Sequence, residues 1–324
     1  MDSVNISSTL PLGNSLRCST ERYTDMEASI LNVQRFCTKD GPGIRTTVFF
    51  KGCPLRCAWC HNPESQSGRA ELLYNPEKCV HCLRCVARCP QGCHASTNGQ
   101  HTLDRTTCAA CGACQSPLCE ALEIAGVEKS TDEILAEVLK DQLYYQNSGG
   151  GITLSGGEPL SQWEACLELL RGAREHGIHT CIETCGFVPR SVLEKTLPLT
   201  DLYLFDCKET DPERHRKWTG VDNQLILDNL RYLDSMGKQT VLRCPIIPSI
   251  NDREEHLAKI AEIANRLQNV LQIVIEPYHT LGVSKYERMG KPYTLSRLET
   301  LDRETTERCI SILRERTAVP VEKA

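Results

Sequence analysis

Residues 52–64 read GCPLRCAWCHNPE and place Cys53, Cys57 and Cys60 at C-x3-C-x2-C. Thiolates are soft metal ligands, and their number here carries information. A structural zinc site closes its tetrahedron with four ligands, and a secreted disulfide framework uses an even count. Three thiolates leave one coordination position of a metal centre open, which is what a catalytic centre needs.

Two further cysteine runs follow. CVHCLRCVARCP gives Cys79, Cys82, Cys85 and Cys89 at C-x2-C-x2-C-x3-C-P, the spacing of the bacterial ferredoxin run. CAACGACQSPLC gives Cys108, Cys111, Cys114 and Cys119 at C-x2-C-x2-C-x4-C. Two four-iron clusters are expected, with the fourth cysteine of each run crossing to the other cluster. Cys79, Cys82, Cys85 and Cys119 then hold one, and Cys108, Cys111, Cys114 and Cys89 the other. The second run has an extra residue before Cys119 and no proline after it, so Cys93 stands as an alternative last ligand in either cluster. Paired zinc knuckles are the competing reading, since C-x2-C pairs also bind zinc. Two triplet-plus-one runs fit knuckles poorly. Cys18, Cys37, Cys166, Cys181, Cys244 and Cys309 follow no ligand spacing and read as small buried or surface residues.

These residues need a scaffold, and 324 residues with 40% hydrophobic content supply an ample core. A net charge of −5 leaves no basic stripe for nucleic acid phosphates. Residues 1–27 show no apolar h-region and no later segment approaches a membrane-spanning run, so a soluble cytoplasmic chain with no membrane or nucleic acid partner is expected. Twenty cysteines without a signal peptide then read as reduced, metal-bound thiolates.

From residue 46 the chain alternates strand-like runs with amphipathic helical stretches. The strands are TTVFF (46–50), ITLSG (152–156), HTCIET (179–184), DLYLFD (201–206), TVLRCPI (240–246) and LQIVIEP (271–277). Between them lie STDEILAEVLKDQLYY, with a capping box at Ser130 and Glu133, SQWEACLELLRGAREHG and REEHLAKIAEIANRL. The fold expected is α/β: a partial (β/α)6 TIM-like barrel with an inserted ferredoxin-like iron-sulfur module, an open doubly wound sheet being the alternative. The domains expected are a flexible extension over 1–27, the barrel over 28–64 and 127–324, and the insert over 65–126. In such barrels the site gathers at the C-terminal strand ends. Gly156, Gly157, Glu158, Glu183, Thr184, Asp206, Cys207, Lys208, Arg243 and His279 are all expected there.

With the three-cysteine motif, Trp59 before its last cysteine and SGGEP downstream, the sequence closely resembles the radical S-adenosylmethionine family. DGPGIRTTVFFKGCPLRC and CHNPES narrow the resemblance to glycyl-radical enzyme activating enzymes, over about residues 30–315. The insert resembles the branch serving glycerol dehydratases, choline trimethylamine-lyase and arylacetate decarboxylases. The resemblance implies that Cys53, Cys57 and Cys60 bind three irons of a 4Fe-4S cluster, giving three 4Fe-4S clusters in all. S-adenosylmethionine chelates the fourth iron, and its reductive cleavage gives a 5′-deoxyadenosyl radical that takes hydrogen from a glycine Cα of a partner enzyme. It further implies that Gly156, Gly157 and Glu158 pair with the methionine amino group, that Lys208 contacts its carboxylate, and that Trp59 and His279 approach the nucleoside. His61, Glu183, Thr184, Asp206, Cys207 and Glu209 complete the implied cofactor contacts. In the pyruvate formate-lyase relative, acidic groups aligned with Glu183 and Asp206 hold a monovalent cation; here glutamate replaces aspartate at 183. The partners implied are a glycyl-radical enzyme and a reduced flavodoxin or ferredoxin as electron donor, with the protein itself a monomer. A radical enzyme acting on a small molecule or tRNA, and a multi-cluster electron carrier, are the competing functions.

Overall fold

The computed structural model describes residues 26–324; Cys18 and nearly all of the expected N-terminal extension lie outside that range. The strands are β1 (Glu27–Cys37), β2 (Arg45–Phe50), β3 (Glu71–Tyr74), β4 (His94–Thr97), β5 (Gln100–Leu103), β6 (Leu122–Ala125), β7 (Val127–Ser130), β8 (Gly151–Gly156), β9 (His179–Thr184), β10 (Leu202–Asp206), β11 (Thr240–Ile246), β12 (Val270–Pro277) and β13 (Val321–Lys323).

Nine of these form one sheet in the order β13-β12-β11-β10-β9-β8-β2-β1-β7. The pairings from β2 through β8, β9, β10, β11 and β12 to β13 are all parallel. The chain is therefore of α/β class with a mostly parallel central sheet. All six expected strands appear within one residue of their expected bounds. Their apolar runs are legible because a parallel strand is covered on both faces. β8 shows it, buried from Gly151 to Ser155.

Helices Trp163–Glu175 and Glu254–Arg266 place Cys166, Leu169, Leu170 and Ala173, and Leu257, Ile260, Ala261 and Ala264, into the core beside the sheet. That is the i, i+3, i+4 stripe of a helix with one buried face. Burying one such leucine or isoleucine contributes about 1.5–3 kcal/mol. Among the described residues no helix is long and apolar enough to cross a membrane.

Three features differ from expectation. The helix expected from residue 130 starts with the capping box of Ser130 and Glu133 but breaks into Thr131–Leu139 and Gln142–Ser148. The break lies at Asp141, a fully buried carboxylate that accepts hydrogen bonds from Arg35 Nε at 2.8 Å and Thr46 Oγ1 at 3.0 Å. Meeting both partners takes it out of helical register. Secondly, β1 and β7 were not expected; β1 runs antiparallel to both β2 and β7, and it begins at Glu27, within the segment expected to be an extension. Thirdly, residues 71–125 carry more regular structure than their sequence suggests. β3 pairs antiparallel with β6, from Glu71↔Ala125 to Tyr74↔Leu122, so the segment closes at its neck. β4 and β5 form a hairpin within it, turning at Asn98 and Gly99, both with positive φ as its tight turn requires.

Asp141 ties β1, β2 and the broken helix together, and its replacement tests that role. Asp141→Ala is expected to cost about 1–3 kcal/mol in chemical denaturation at pH 7, since it removes the acceptor of the buried Thr46 hydroxyl and the partner of the part-exposed Arg35. The hydrogen bond from Arg35 lowers the pKa of Asp141 despite burial. A lowered folded-state pKa means the contribution is complete above the unfolded value of about 4 and fades as pH falls through the folded value. The wild-type and variant stability curves should therefore converge below about pH 4; a constant gap would contradict this.

Candidate active site

The C-terminal ends of the parallel strands surround a cavity of ≈ 650 Å³. β8 contributes Ser155 and Gly156, β9 Glu183, β10 Asp206, β11 Arg243 and β12 Glu276. Cys53, Cys57 and Cys60 line the same cavity from the loop after β2.

That loop has little regular structure, so its backbone must find partners elsewhere. Gly52 N donates to Ser65 O at 2.6 Å, Cys53 N to Gln66 O at 3.2 Å, Arg56 N to Thr219 O at 2.7 Å and Ala58 N to Trp218 O at 2.9 Å. Leu55 and Trp59 are buried anchors, and Trp59 packs with Ile247, Ile250 and Tyr278 while reaching the cavity wall. These contacts tie the loop to its neighbours on both sides.

The glycines of SGGEP let β8 approach it. Gly157 N donates to Phe50 O and Glu158 N to Gly52 O, each at 2.8 Å. A Cβ on Gly157 would stand 2.3 Å from Gly52 O, and one on Gly156, where φ is +116°, 2.2 Å from Phe50 N. Only glycine fits at either position.

Charge is concentrated around this cavity. Lys208 Nζ donates to Asp206 Oδ2 at 2.7 Å, and although burial opposes its charge, Asp206 holds the Lys208 pKa well above its ordinary value. Arg243 stands 3.3 Å from Glu183 and 3.9 Å from Asp40, and it also pairs with Glu276. Ser155 Oγ donates to the other oxygen of Glu183 at 2.7 Å. Burial pushes the Glu183 carboxyl up to about 7, with Arg243 working against the rise and Asp206 adding to it.

His61 and His279 stack at 3.9 Å between ring centroids. Burial, then the charge of His279, pushes His61 down to about 4. His61 Nε2 and His279 Nδ1 are buried without a hydrogen-bond partner although both rings line the cavity. Orphaned buried nitrogens of this kind call for a polar ligand. Together with three thiols, a lysine and glycines that keep two backbone stretches open to the cavity, they fit an iron-sulfur cluster with a polar nucleoside cofactor. The volume also suits a ligand of that size.

Four residues that the resemblance assigned to the cofactor do not line this cavity. Glu158 is fully buried behind it and accepts from Thr184 Oγ1 at 2.9 Å, Cys185 N at 2.8 Å and Leu160 N at 3.1 Å. Thr184 is buried as the partner of that carboxylate. Cys207 faces the Cys244 thiol in the core. Glu209 accepts from Arg253 at 2.6 Å and 2.7 Å, and Arg253 with His256 holds its carboxyl well below the usual range despite burial. These residues brace the wall from behind. Conversely, Cys185, Asp40, Glu276 and Tyr278 line the cavity and were not singled out. Cys185 and Glu276 sit at strand ends, so the rule that pointed to Glu183 and Asp206 could have found them. The Cys185 thiol lies within hydrogen-bonding reach of Cys53.

The remaining cysteine runs line two separate hollows. Cys79, Cys82, Cys85 and Cys119 meet in one, and Cys89, Cys93, Cys108 and Cys111 in the other, with Cys114 bordering both. Cys93 N donates to Cys89 Sγ at 3.3 Å, which puts Cys93 beside the second hollow, whereas Cys119 faces the first. Among the described residues no three cysteine sulfurs come within 4.8 Å of one another. Sulfurs sharing one tetrahedral zinc at 2.3 Å stand about 3.8 Å apart. A cluster, in which each thiolate binds a different iron, holds them wider.

Residues 47–261 match the radical SAM superfamily. The chain belongs to it. Radical SAM proteins use a 4Fe-4S cluster and S-adenosylmethionine, which agrees with the donor set gathered here. The choline trimethylamine-lyase activating enzyme of Oleidesulfovibrio alaskensis is 41% identical over 88% of this chain and 96% of its own. The isethionate sulfite-lyase activating enzyme of Nitratidesulfovibrio vulgaris is also 41% identical, over 87% and 94%. A solved radical SAM methyltransferase from Sphaerobacter thermophilus shares the fold at 14% identity, with a TM-score of 0.53 over 90% of this chain and 76% of its own. Within the radical SAM superfamily this chain is thus an activating enzyme of the group serving glycyl-radical enzymes.

The Gly52–Gly157 approach gives this radical SAM site a direct test. Gly157→Ala should displace the loop of Cys53, because the added carbon meets backbone rather than a flexible side chain. Iron bound after reconstitution is expected to fall by about a third, from about twelve to about eight per chain if each cysteine set holds four. Full iron binding by the variant would show that the loop tolerates the displacement.

Proposed function

We propose that this protein installs a radical on a glycine of one partner enzyme, and that a ferredoxin-like insert supplies the electron. The observation that carries the reading is the meeting of three thiols, Lys208 and two unpartnered imidazoles in one cavity. When bound there, the cluster and S-adenosylmethionine supply an electron and a 5′-deoxyadenosyl radical able to take a glycine Cα hydrogen. The protein's own residues do the rest. Cys53, Cys57 and Cys60 hold the metal, and Lys208 offers a cation to a carboxylate. His61 and His279 offer ring faces and nitrogens to a nucleoside, and Trp59 shields one side from water. Glu158 positions without touching, by holding Cys185 N and Thr184 behind the wall.

We read the sheet as a partial barrel of six β/α units. In support, the loop Thr38–Pro42 after β1 and the segment Pro320–Ala324 at β13, from distant parts of the sheet, line one further cavity of ≈ 590 Å³. That cavity shares Arg243 with the site, so a partner's loop has a lateral route to the reacting atoms. Reach is the physical requirement, because a glycine in a folded partner is a substrate only if its loop can enter.

The insert over residues 65–126 is proposed to hold two 4Fe-4S clusters fed by a reduced flavodoxin or ferredoxin, with the protein acting as a monomer. The paired outer strands and inner hairpin support a ferredoxin-like module, as do the two cysteine-lined hollows, although among the described residues the second helix of the β-α-β-β-α-β order is absent. Both carboxylates proposed for a monovalent cation already face a protein cation, Asp206 on Lys208 and Glu183 on Arg243. A bound cation would have to displace one of these. The two relatives named above serve different lyases at the same 41% identity, so overall identity does not assign the partner.

Two measurements test the reading. Cys57→Ala should leave the insert iron, about eight per chain, and reduce dithionite-driven 5′-deoxyadenosine formation to background. Mixing reduced enzyme, S-adenosylmethionine and a glycyl-radical enzyme encoded nearby, without oxygen, should give a doublet electron paramagnetic resonance signal on the partner, absent when its loop glycine is alanine. Productive consumption of S-adenosylmethionine with a small molecule and no protein radical would favour the small-molecule reading instead.

A further inference from the structure

Between the two cysteine hollows of the insert lie two histidines that the radical chemistry does not use. His94 opens β4 and His101 lies in β5, diagonal neighbours in a register that pairs His94 with Leu103 and Ser96 with His101. They are 3% and 8% exposed. His94 Nδ1 and His101 Nε2 stand 2.8 Å apart, a hydrogen bond between the rings. His101 lines the hollow of Cys79, Cys82, Cys85 and Cys119, whereas His94 lines that of Cys89, Cys108 and Cys111. The pair thus spans both. His101 also packs edge-on against Tyr74, with centroids 4.5 Å apart, which fixes its ring.

One atom is unaccounted for. His101 Nδ1 is buried without a partner, and the Cys85 sulfur lies within 4.8 Å of the ligating nitrogens of both histidines. A neutral imidazole carries one donor and one acceptor nitrogen. If His94 Nδ1 donates to His101 Nε2, the proton of His101 sits on Nδ1, where an acceptor is needed. Leaving it unmet costs about 1–3 kcal/mol. The acceptor that belongs in this hollow is sulfur.

We propose that His101 donates its Nδ1–H to a sulfur of the cluster held by Cys79, Cys82, Cys85 and Cys119, with His94 fixing the tautomer from the side of the second cluster. This rests on the reading of the insert as a two-cluster module and deepens it. Reduction adds negative charge to the cluster, so a donor to its sulfur stabilises the reduced state and raises the potential. A mononuclear zinc on Cys85, His94 and His101 is the competing use of these atoms. It would take Cys85 from its four-cysteine hollow, and nitrogens sharing a zinc at 2.0–2.1 Å stand about 3.3 Å apart, wider than the 2.8 Å found.

The test is an anaerobic redox titration followed by electron paramagnetic resonance on reconstituted full-length protein. His101→Phe, with iron content unchanged, should disfavour reduction of one insert cluster about tenfold, about 59 mV for one electron. His101→Asn, which keeps an N–H near the Nδ1 position, should recover most of that shift. Should His101→Phe lose its iron, reduced wild-type protein labelled with 15N-histidine decides the matter: a weak 15N coupling to an insert cluster is expected in pulsed spectra. An unshifted potential in an iron-replete His101→Phe variant, no 15N coupling, or zinc bound at these three residues each overturns the proposal. A wild-type iron count near about four per chain would instead bring down the two-cluster reading beneath it.

Discussion

The site hangs on the contact between two stretches of backbone, Gly52 at the head of the cysteine loop and Gly157 at the end of β8. Two hydrogen bonds of 2.8 Å join them, from Gly157 N to Phe50 O and from Glu158 N to Gly52 O. The chains approach so closely that no Cβ fits between them. Because backbone meets backbone, the position of Cys53 is set by the sheet rather than by side chains that could adopt other rotamers. Glu158 extends the constraint to β9, since its buried carboxylate is satisfied by Thr184 Oγ1 and Cys185 N. β2, β8 and β9 thereby act as one frame, and a metal bound to the loop inherits its rigidity.

Around that frame, charge is arranged in facing pairs. Lys208 meets Asp206, and Arg243 meets Glu183 and Glu276, all at neighbouring strand ends. Buried charges are tolerated only when paired, and each pair here also faces the cavity. A polar cofactor therefore enters a site whose charges are already compensated and oriented. Glu209 does comparable work one layer out, where Arg253 and His256 secure the chain just after Lys208.

The insert obeys a different logic. It leaves the main sheet's surroundings through a four-residue antiparallel neck, β3 with β6, and has too few large apolar residues for a core of its own. Its buried cluster is small: Leu72, Cys114 and Leu122, with cysteines packed around them. Segments of this size generally need metals to hold their shape. The cysteines thus make up much of its packing.

The sequence by itself determined the parallel strands, their order along the chain and the cysteine runs with metal-ligand spacing. Strands covered on both faces, such as ITLSG and DLYLFD, must be continuous apolar runs, and thiolate spacing is a local property of the chain. It also located most of the cavity wall, because in a parallel sheet the C-terminal ends of all strands share one side. What only the tertiary structure decided depends on pairing between distant residues. β1 and β7 exist through pairing with distant residues, β1 with β2 and β7 with β1. The helix break at Asp141 follows from Arg35 and Thr46, about a hundred residues away in sequence. The division between residues that face the cavity, such as Cys185 and Glu276, and those that brace it, such as Glu158, Thr184, Cys207 and Glu209, followed the same rule. A motif states which side chains are near the site, but which way each one turns is set by the partner that satisfies it, and that partner comes from another strand.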